Sequence, residues 1–597
     1  MATESHNPAN DSPAKNSAIL RKFILAIAPY LALALVFLTI SFSFGFVGGI
    51  DDYLCALRFD MPYLFLLFAV LLYTMRPSLW RVVIAVIPFV LLYAGMDLYH
   101  VFMNSIFKLD DLFLLPEGLT VCPAWIRVGV FAIVCAWLLV FIFFLKRRPR
   151  QFIIPLLLLI LAAGPPLAAY NAPKQFLRTA EMLGLSVIPW SDRWTSAIMG
   201  RANSLLLFAA AKHKALDELV LLQTIDDPDR DPALLVNILH EKRNVHILVL
   251  ESFLDPSRFS KLKFKTPPAP PQFDAVRKKM HTSLSPVFGG GTAQAEFEIL
   301  CGTPAYKLYS SAEFNTFDGT STPCLPNLLA GAGYRTIATQ SYKPDFFNSE
   351  KAYRSLGFKE IHFPSVFAGN RPTYLKYDSP KSYIFDGDLL SQNISYVQKM
   401  LGEGRPFLNY VLGVYGHLPH ETDTTRFPPK VDVVGVEKGS QTYMAIQQFY
   451  YRAEAVADYL QKLRKMDPDG LILVTSDHLP PLDRGTGTYE HLGYSLVSAG
   501  GEFRQNIWMY DGPQPKNIAW PNHYYEYMDF LLDILTKGSI CQQVVCKNRV
   551  VWTPQKLTIS YNNLMVQGSG ISKKSGGLVA GTSPQPTAID HEVTARQ

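Results

Sequence analysis

Ser285-Pro286-Val287-Phe288-Gly289-Gly290-Gly291-Thr292-Ala293-Gln294-Ala295-Glu296-Phe297-Glu298 brings an unencumbered backbone up to one hydroxyl, that of Thr292. Glycine adopts φ > 0 without steric cost, so the triple-glycine run permits a tight turn, and Thr292 followed by Ala-Gln-Ala-Glu-Phe-Glu predicts a helix start. Such a start presents orphan N–H donors and the positive end of a dipole to an anion. Two other stretches give this turn a chemical setting. Val245-His246-Ile247-Leu248-Val249-Leu250-Glu251-Ser252 is an apolar run of strand length that ends in a carboxylate, and Leu471-Ile472-Leu473-Val474-Thr475-Ser476-Asp477-His478 has the same form. Open α/β sheets bind ligands beyond the carboxyl ends of their strands, so Glu251 and the Asp477-His478 pair are expected on one rim. With the Thr292 oxygen they form a donor set for a metal ion. Hard carboxylates plus one imidazole suit Mn2+, Mg2+ or Zn2+.

These residues resemble the lipoteichoic acid synthase family of phosphoglycerol transferases, within the alkaline phosphatase and sulfatase superfamily. The resemblance covers residues 243–540. Its most specific part runs from Gly289 to Gly302, followed by Cys324-Leu325-Pro326-Asn327-Leu328-Leu329, Gly331-Ala332-Gly333-Tyr334-Arg335-Thr336 and Leu356-Gly357-Phe358. It implies an α-helical transmembrane bundle followed by an α/β alkaline phosphatase/sulfatase-like domain with a central mixed, mostly parallel sheet. It also implies a membrane-anchored enzyme that takes a phospholipid head group from phosphatidylglycerol or phosphatidylethanolamine. The head group passes through a phospho-threonine to an envelope glycan or glycolipid. By this resemblance Glu251, Thr292, Asp477 and His478 are the ligands of one divalent metal ion, and Thr292 is the nucleophile.

Further residues follow from the same comparison. His417, in Tyr415-Gly416-His417-Leu418-Pro419-His420, matches a family histidine that contacts the phosphate, and a general-acid role suits its chemistry. His420 and His491 are weaker candidates for substrate binding. The family carries a His and then Phe-Trp-Asn-Arg for the glycerol-phosphate group; here Gln340 and Phe346-Phe347-Asn348-Ser349 stand in those places. Arginine is the usual bidentate reader of phosphate, so its replacement opens the identity of the head group. Lys343, Arg335 and Arg354 are the candidates to compensate. Three alternatives stand beside the phosphoglycerol reading: a phosphoethanolamine transferase, a sulfatase- or phosphodiesterase-type hydrolase, and a non-catalytic envelope scaffold. The chain reads Asp477-His478-Leu479-Pro480-Pro481 rather than the Asp-His-Gly-Glu-Ser of the first, and it lacks the Cys/Ser-x-Pro-x-Arg of a sulfatase. A scaffold predicts decay of the metal set, and all four positions are filled.

The 597 residues are 49% hydrophobic, and the apolar ones concentrate before residue 170. A hydrocarbon core of about 30 Å takes about 20 helical residues. Five stretches are read as spans: 23–46, 61–75, 82–96, 128–145 and 152–169, with four as the alternative count. Lys15, Arg21 and Lys22, then Arg76 and Arg81, then Lys146, Arg147, Arg148 and Arg150 mark cytoplasmic sides, which places everything after residue 170 outside. The net charge of +6 comes mostly from these loops and is no sign of nucleic acid binding. The expected organisation is a disordered cytoplasmic tail over 1–18, a five-helix membrane domain over 19–170, a juxtamembrane linker over 171–242, a catalytic domain over 243–553 and a low-complexity tail over 554–597. The linker contains an amphipathic part from Leu205 to Leu222, suited either to the membrane interface or to packing on a domain. Of seven cysteines, Cys541 with Cys546 and Cys301 with Cys324 are possible disulfides in an oxidising compartment.

Overall fold

The structure, a computed structural model, describes residues 26–36, 39, 53–115, 124–188, 192–219, 239, 242–309, 312–379, 382–494, 505–540 and 554–570. The chain divides into two compact units, the first built from residues up to Ala211 apart from two short segments, and the second mainly from Lys212 onward.

Within the first unit, three described helices are long and apolar enough to cross a membrane: Trp80–Met103, Ala124–Phe144 and Pro149–Asn171. They contain the stretches expected at 82–96, 128–145 and 152–169, apart from Leu145. The other two expected spans appear as shorter apolar helices, Ala26–Val36 and Asp60–Thr74, and much of 23–46 lies outside the described residues. Ala124–Phe144 has no buried residue, and Phe131, Leu139 and Phe143 point outward as they would toward lipid. The expected linker is helical over much of its length, in Pro173–Met182, Asp192–Met199 and Arg201–Leu219. Leu205, Leu207 and Phe208 are buried, so this part of the amphipathic stretch packs on protein. Its helix start is fixed by an acid: the backbone N–H groups of Ala202 and Asn203 donate to the buried Asp60 carboxylate at 3.1 and 3.0 Å. Gly200 makes that approach possible, with φ at +87° and room for no Cβ, which would lie 2.2 Å from Asp60 Oδ1.

The second unit is organised on a seven-stranded sheet. Its strands are β1 (Val245–Leu250), β3 (Met280–Leu284), β4 (Arg335–Gln340), β5 (Glu360–His362), β6 (Phe407–Gly413), β8 (Leu471–Ser476) and β9 (Gln505–Asp511), while β2 (Lys263–Phe264) and β7 (Val433–Val434) form a separate pair. The order is β3-β9-β8-β1-β6-β4-β5; β8, β1, β6, β4 and β5 run parallel, and β9 is antiparallel to both neighbours. The mixed, mostly parallel sheet is therefore as expected. All six residues of β1 are buried, and they alternate between two cores. Val245, Ile247 and Val249 face a core with Phe297, Leu328 and Phe530, whereas Leu248 and Leu250 face one with Leu389, Phe449 and Val456. Helices on both faces explain why β1 reads as a continuous apolar run.

One boundary differs from expectation, and one disulfide becomes definite. Pro554–Gly568 is a helix, and its Tyr561, Leu564, Met565 and Val566 are buried in the first of these cores, so this stretch is not the low-complexity tail expected from 554. Cys301 and Cys324 form a disulfide that ties the end of helix Thr292–Cys301 to the start of Leu325–Gly331. Cys541 and Cys546 lie outside the described residues, as do residues 1–18.

Candidate active site

Parallel β1 and β8 are neighbours in register, Leu250 opposite Ser476, so Glu251 and Asp477 leave the sheet side by side. Thr292 is the first residue of the helix Thr292–Cys301, and the preceding Gly291 has φ at +92°, a left-handed turn that glycine takes without cost. The loop before it is tied to the same rim: Ser285 Oγ donates to the Asp477 carbonyl at 2.7 Å, and Gly289 N–H to the Leu479 carbonyl at 2.9 Å. Every residue of the helix is buried, so its N-terminus is held by packing rather than by a side-chain cap.

The expected residues converge. Thr292 Oγ1 donates to Glu251 Oε2 at 2.9 Å, and His478 Nε2 lies 3.2 Å from Glu251 Oε1 and 3.3 Å from Asp477 Oδ2. Glu251, Asp477 and His478 offer ligand atoms all within 4.8 Å of one another, and all three side chains are buried. Asp477 Oδ1 accepts from Ser252 N–H at 2.7 Å and from His478 N–H at 2.6 Å. His478 Nδ1 lies 3.1 Å from the Leu479 carbonyl, the contact that turns Nε2 toward the carboxylates. Asp477 Oδ2 and His478 Nε2 are left buried without a hydrogen-bond partner among the described residues.

Electrostatics agree with a cation at this point. Burial disfavours the Glu251 charge, but His478 and other neighbours outweigh it and bring the carboxyl down to about 2. Burial and the Glu251 charge push Asp477 up to about 7. Burial opposes charge on His478, yet Asp477 and Glu251 raise its pKa. Two carboxylates in such proximity resist full ionisation unless a positive charge joins them. The spare oxygen, the spare ring nitrogen and the hard donor set fit a divalent cation.

The remaining candidates divide. His417 follows β6, half-buried, with Nδ1 2.8 Å from the Leu418 carbonyl and 3.2 Å from the Tyr383 hydroxyl. His420 is buried, its Nδ1 3.1 Å from Gln448 Oε1 and its Nε2 without a partner among the described residues, and burial pushes its pKa down to about 4. Gln340 ends β4 on the ligand rim, with Nε2 donating to Ser349 Oγ at 3.0 Å, so the two residues that replace the family's His and Arg bond to each other. Lys343 lies 5.0 Å from the centre of the Tyr342 ring, which also packs on Phe346, Phe367 and Tyr383, the last at 5.3 Å between centroids.

Arg335, Arg354 and His491 do not join the site. Arg335 begins β4, at the end opposite Gln340, and is held by Glu360 and Glu403. Arg354 pairs with Glu350. His491 is exposed in the last turn of helix Thr486–Leu492. Three residues that the sequence did not single out lie against the site: Ser252, Tyr383 and Arg452. The only local sign of Ser252 was its place beside Glu251; Tyr383 and Arg452 are far from their partners in sequence and gave no sign.

Residues 243–535 match the sulfatase family. A Rhizobium meliloti protein, named provisionally for cyclic β-1,2-glucan modification, is 26% identical over 259 residues, 42% of this chain and 38% of that protein. The match thus spans about two fifths of that relative's length. Among solved structures, the Streptococcus pyogenes phosphoglycerol transferase GacH in complex with sn-glycerol-1-phosphate is 17% identical, covering 61% of this chain and 95% of its own, with a TM-score of 0.43. The lipoteichoic acid synthase LtaP from Listeria monocytogenes is also 17% identical, covering 54% of this chain and 78% of its own, with a TM-score of 0.40.

Proposed function

We propose, from the premise that residues 243–535 are a sulfatase domain of the alkaline phosphatase superfamily, that this chain transfers a phospholipid head group to an envelope glycan. One observation carries the reading: the Thr292 hydroxyl, at the start of a buried helix, donates to Glu251 within 2.9 Å, and Glu251 belongs to the same cluster as Asp477 and His478. Sulfatases of the formylglycine type place a modified Cys or Ser at the nucleophile position, and Thr292 offers a secondary hydroxyl without that motif.

Glu251, Asp477 and His478 would hold the divalent ion, with Thr292 Oγ1 beside them. When bound, it would supply positive charge that offsets the phosphodiester and lowers the hydroxyl pKa. Glu251 Oε2 is the acceptor already aligned on the Thr292 proton. Thr292 Oγ then attacks phosphorus, the bond to the diacylglycerol oxygen breaks, and diacylglycerol leaves with a proton. The head group is now a phosphodiester of Thr292. An acceptor hydroxyl attacks the same phosphorus and gives up its proton to His417, and the Thr292 oxygen is released and takes back the proton held on Glu251. His417, its ring oriented by Tyr383 and the Leu418 carbonyl, would donate the proton to the leaving oxygen.

Phosphatidylglycerol is the favoured donor on the motif resemblance. Phosphatidylethanolamine is the second reading, favoured by the Gln340–Ser349 pair that stands where the family places His and Arg. The acceptor class follows from the name of the Rhizobium meliloti relative, which points to a glucan. On the charge bias of the loops, the sulfatase domain would lie outside an inner membrane crossed five times. Reporter fusions at Gly200 and Arg148 on opposite sides would support that topology. The function is tested by mass spectrometry of the lipid and glycan pools of cells with and without the gene. Phosphoglycerol-substituted glycan that disappears with the gene supports the reading; unchanged glycan substitution rejects it.

A further inference from the structure

We infer that Ser252, gripped by the buried Arg452, is the positioning residue that fixes Glu251 and Asp477 relative to each other as cation ligands. The inference rests on the reading that these residues hold a cation.

Ser252 is buried, and its φ is +51° although it is not a glycine. A left-handed residue with a Cβ is strained and persists only where its surroundings impose it. Here the conformation has a consequence. It lets one residue reach both carboxylates: the backbone N–H donates to Asp477 Oδ1 at 2.7 Å, and the side-chain hydroxyl donates to Glu251 Oε1 at 2.9 Å. Each carboxylate is thereby engaged on one oxygen. Asp477 Oδ2 is left for a ligand, and Glu251 Oε2 faces Thr292.

What imposes the conformation is also visible. Arg452, on helix Gln441–Met466, sends Nη2 to the Glu251 carbonyl at 2.7 Å and Nη1 toward the Ser252 carbonyl at 3.5 Å. Its Nε is held by the buried Asp386 at 2.6 Å, and its guanidinium carbon lies 5.2 Å from the centre of the Phe253 ring. The planar guanidinium therefore orients two consecutive carbonyls, which a flexible ammonium would not do as well. Gly416, next to His417, completes the packing, because a Cβ there would stand 2.3 Å from Arg452 Nη1 and 2.0 Å from the Glu251 carbonyl oxygen. Arg452 thus lies between the loop that carries Glu251 and the loop that carries His417.

The test is Mn2+ binding measured by titration calorimetry on the metal-stripped full chain in detergent, with melting temperatures recorded on the same samples. Ser252→Gly keeps the left-handed turn and the backbone N–H and removes the side chain with its hydroxyl; Arg452→Lys keeps a charge and loses the fork. Hydrogen-bond partners that orient metal ligands typically account for 10- to 100-fold in affinity. Ser252→Gly is expected to weaken Mn2+ binding by about that factor with little change in the melting temperature of the metal-free protein, and Arg452→Lys to weaken it as well. A Ser252→Gly affinity within about twofold of wild type overturns the inference, whatever the melting temperature does. A wild-type chain that binds no Mn2+, or binds it equally well as Glu251→Ala, rejects the metal site itself and the inference with it.

Discussion

Removing the charge of Arg452 while keeping its bulk, as Arg452→Met does, should be among the most destabilising single changes in the sulfatase domain. The side chain is 2% exposed, and its partner Asp386 is fully buried. Breaking a buried pair by removing one member costs about 3–5 kcal/mol, because the remaining charge stays in the interior without compensation. Asp386→Leu should cost about as much for the same reason. If the two losses were independent they would sum to about 6–10 kcal/mol, but the double variant removes both charges together. What then remain are the Glu251 carbonyl that Arg452 engaged at 2.7 Å, worth about 1–3 kcal/mol as an unsatisfied group, and the Ser252 carbonyl, held only loosely at 3.5 Å. The double variant is therefore expected to be more stable than either single one. Urea denaturation of the full chain in detergent, followed by fluorescence, gives the cycle. A single-variant cost below about 1 kcal/mol, or a double variant no better than the singles, would refute the assignment of Arg452 and Asp386 as a buried ionised pair.

Thr292→Ala should abolish head-group transfer, read as diacylglycerol release, while the melting temperature stays near wild type; Thr292→Ser should retain part of the rate. His420 has a folded pKa of about 4, below its ordinary value near 6.5, so between those pH values the unfolded chain binds a proton that the folded chain does not. Its contribution is thus complete above about pH 6.5 and is lost as pH falls toward 4, by up to about 3 kcal/mol. Denaturation at pH 7 and pH 5 should show His420→Gln losing less stability on acidification than wild type. The Cys301–Cys324 bridge closes a loop with a sequence separation of 23, and its replacement by Ala at both positions should cost about 3 kcal/mol, measurable by denaturation.

The convergence of Glu251, Thr292, Asp477 and His478 was legible because each carries a local signal. Glu251 and Asp477-His478 interrupt apolar runs at the one place where a parallel sheet exposes side chains to a ligand, and Thr292 follows a glycine turn. His417 was legible for a similar reason, lying just after the strand-like run at Phe407. Arg335 misled because a cation in a motif says nothing about which end of its strand it occupies; it begins β4, and Glu360 and Glu403 neutralise it there. The helix Pro554–Gly568 was missed because its four core residues are interspersed with Asn, Ser and Gln. What buries it is tertiary: Tyr561 packs on Phe297, 6.1 Å between centroids, and donates to Glu313. Ser252 and Arg452 were out of reach for a different reason. A left-handed serine has no sequence signature, and the contact of Arg452 with Glu251 joins residues 201 apart.

In the proposed reaction the head group passes through Thr292. The most direct measurement incubates the full chain with Mn2+ and phosphatidylglycerol or phosphatidylethanolamine, quenches before acceptor is added, and analyses the peptide containing Thr292 by tandem mass spectrometry. A phosphodiester of the donor head group on Thr292 is expected, formed together with diacylglycerol and lost when a glucan acceptor is supplied. Diacylglycerol release with no adduct on Thr292, and with an undiminished rate in Thr292→Ala, would contradict it.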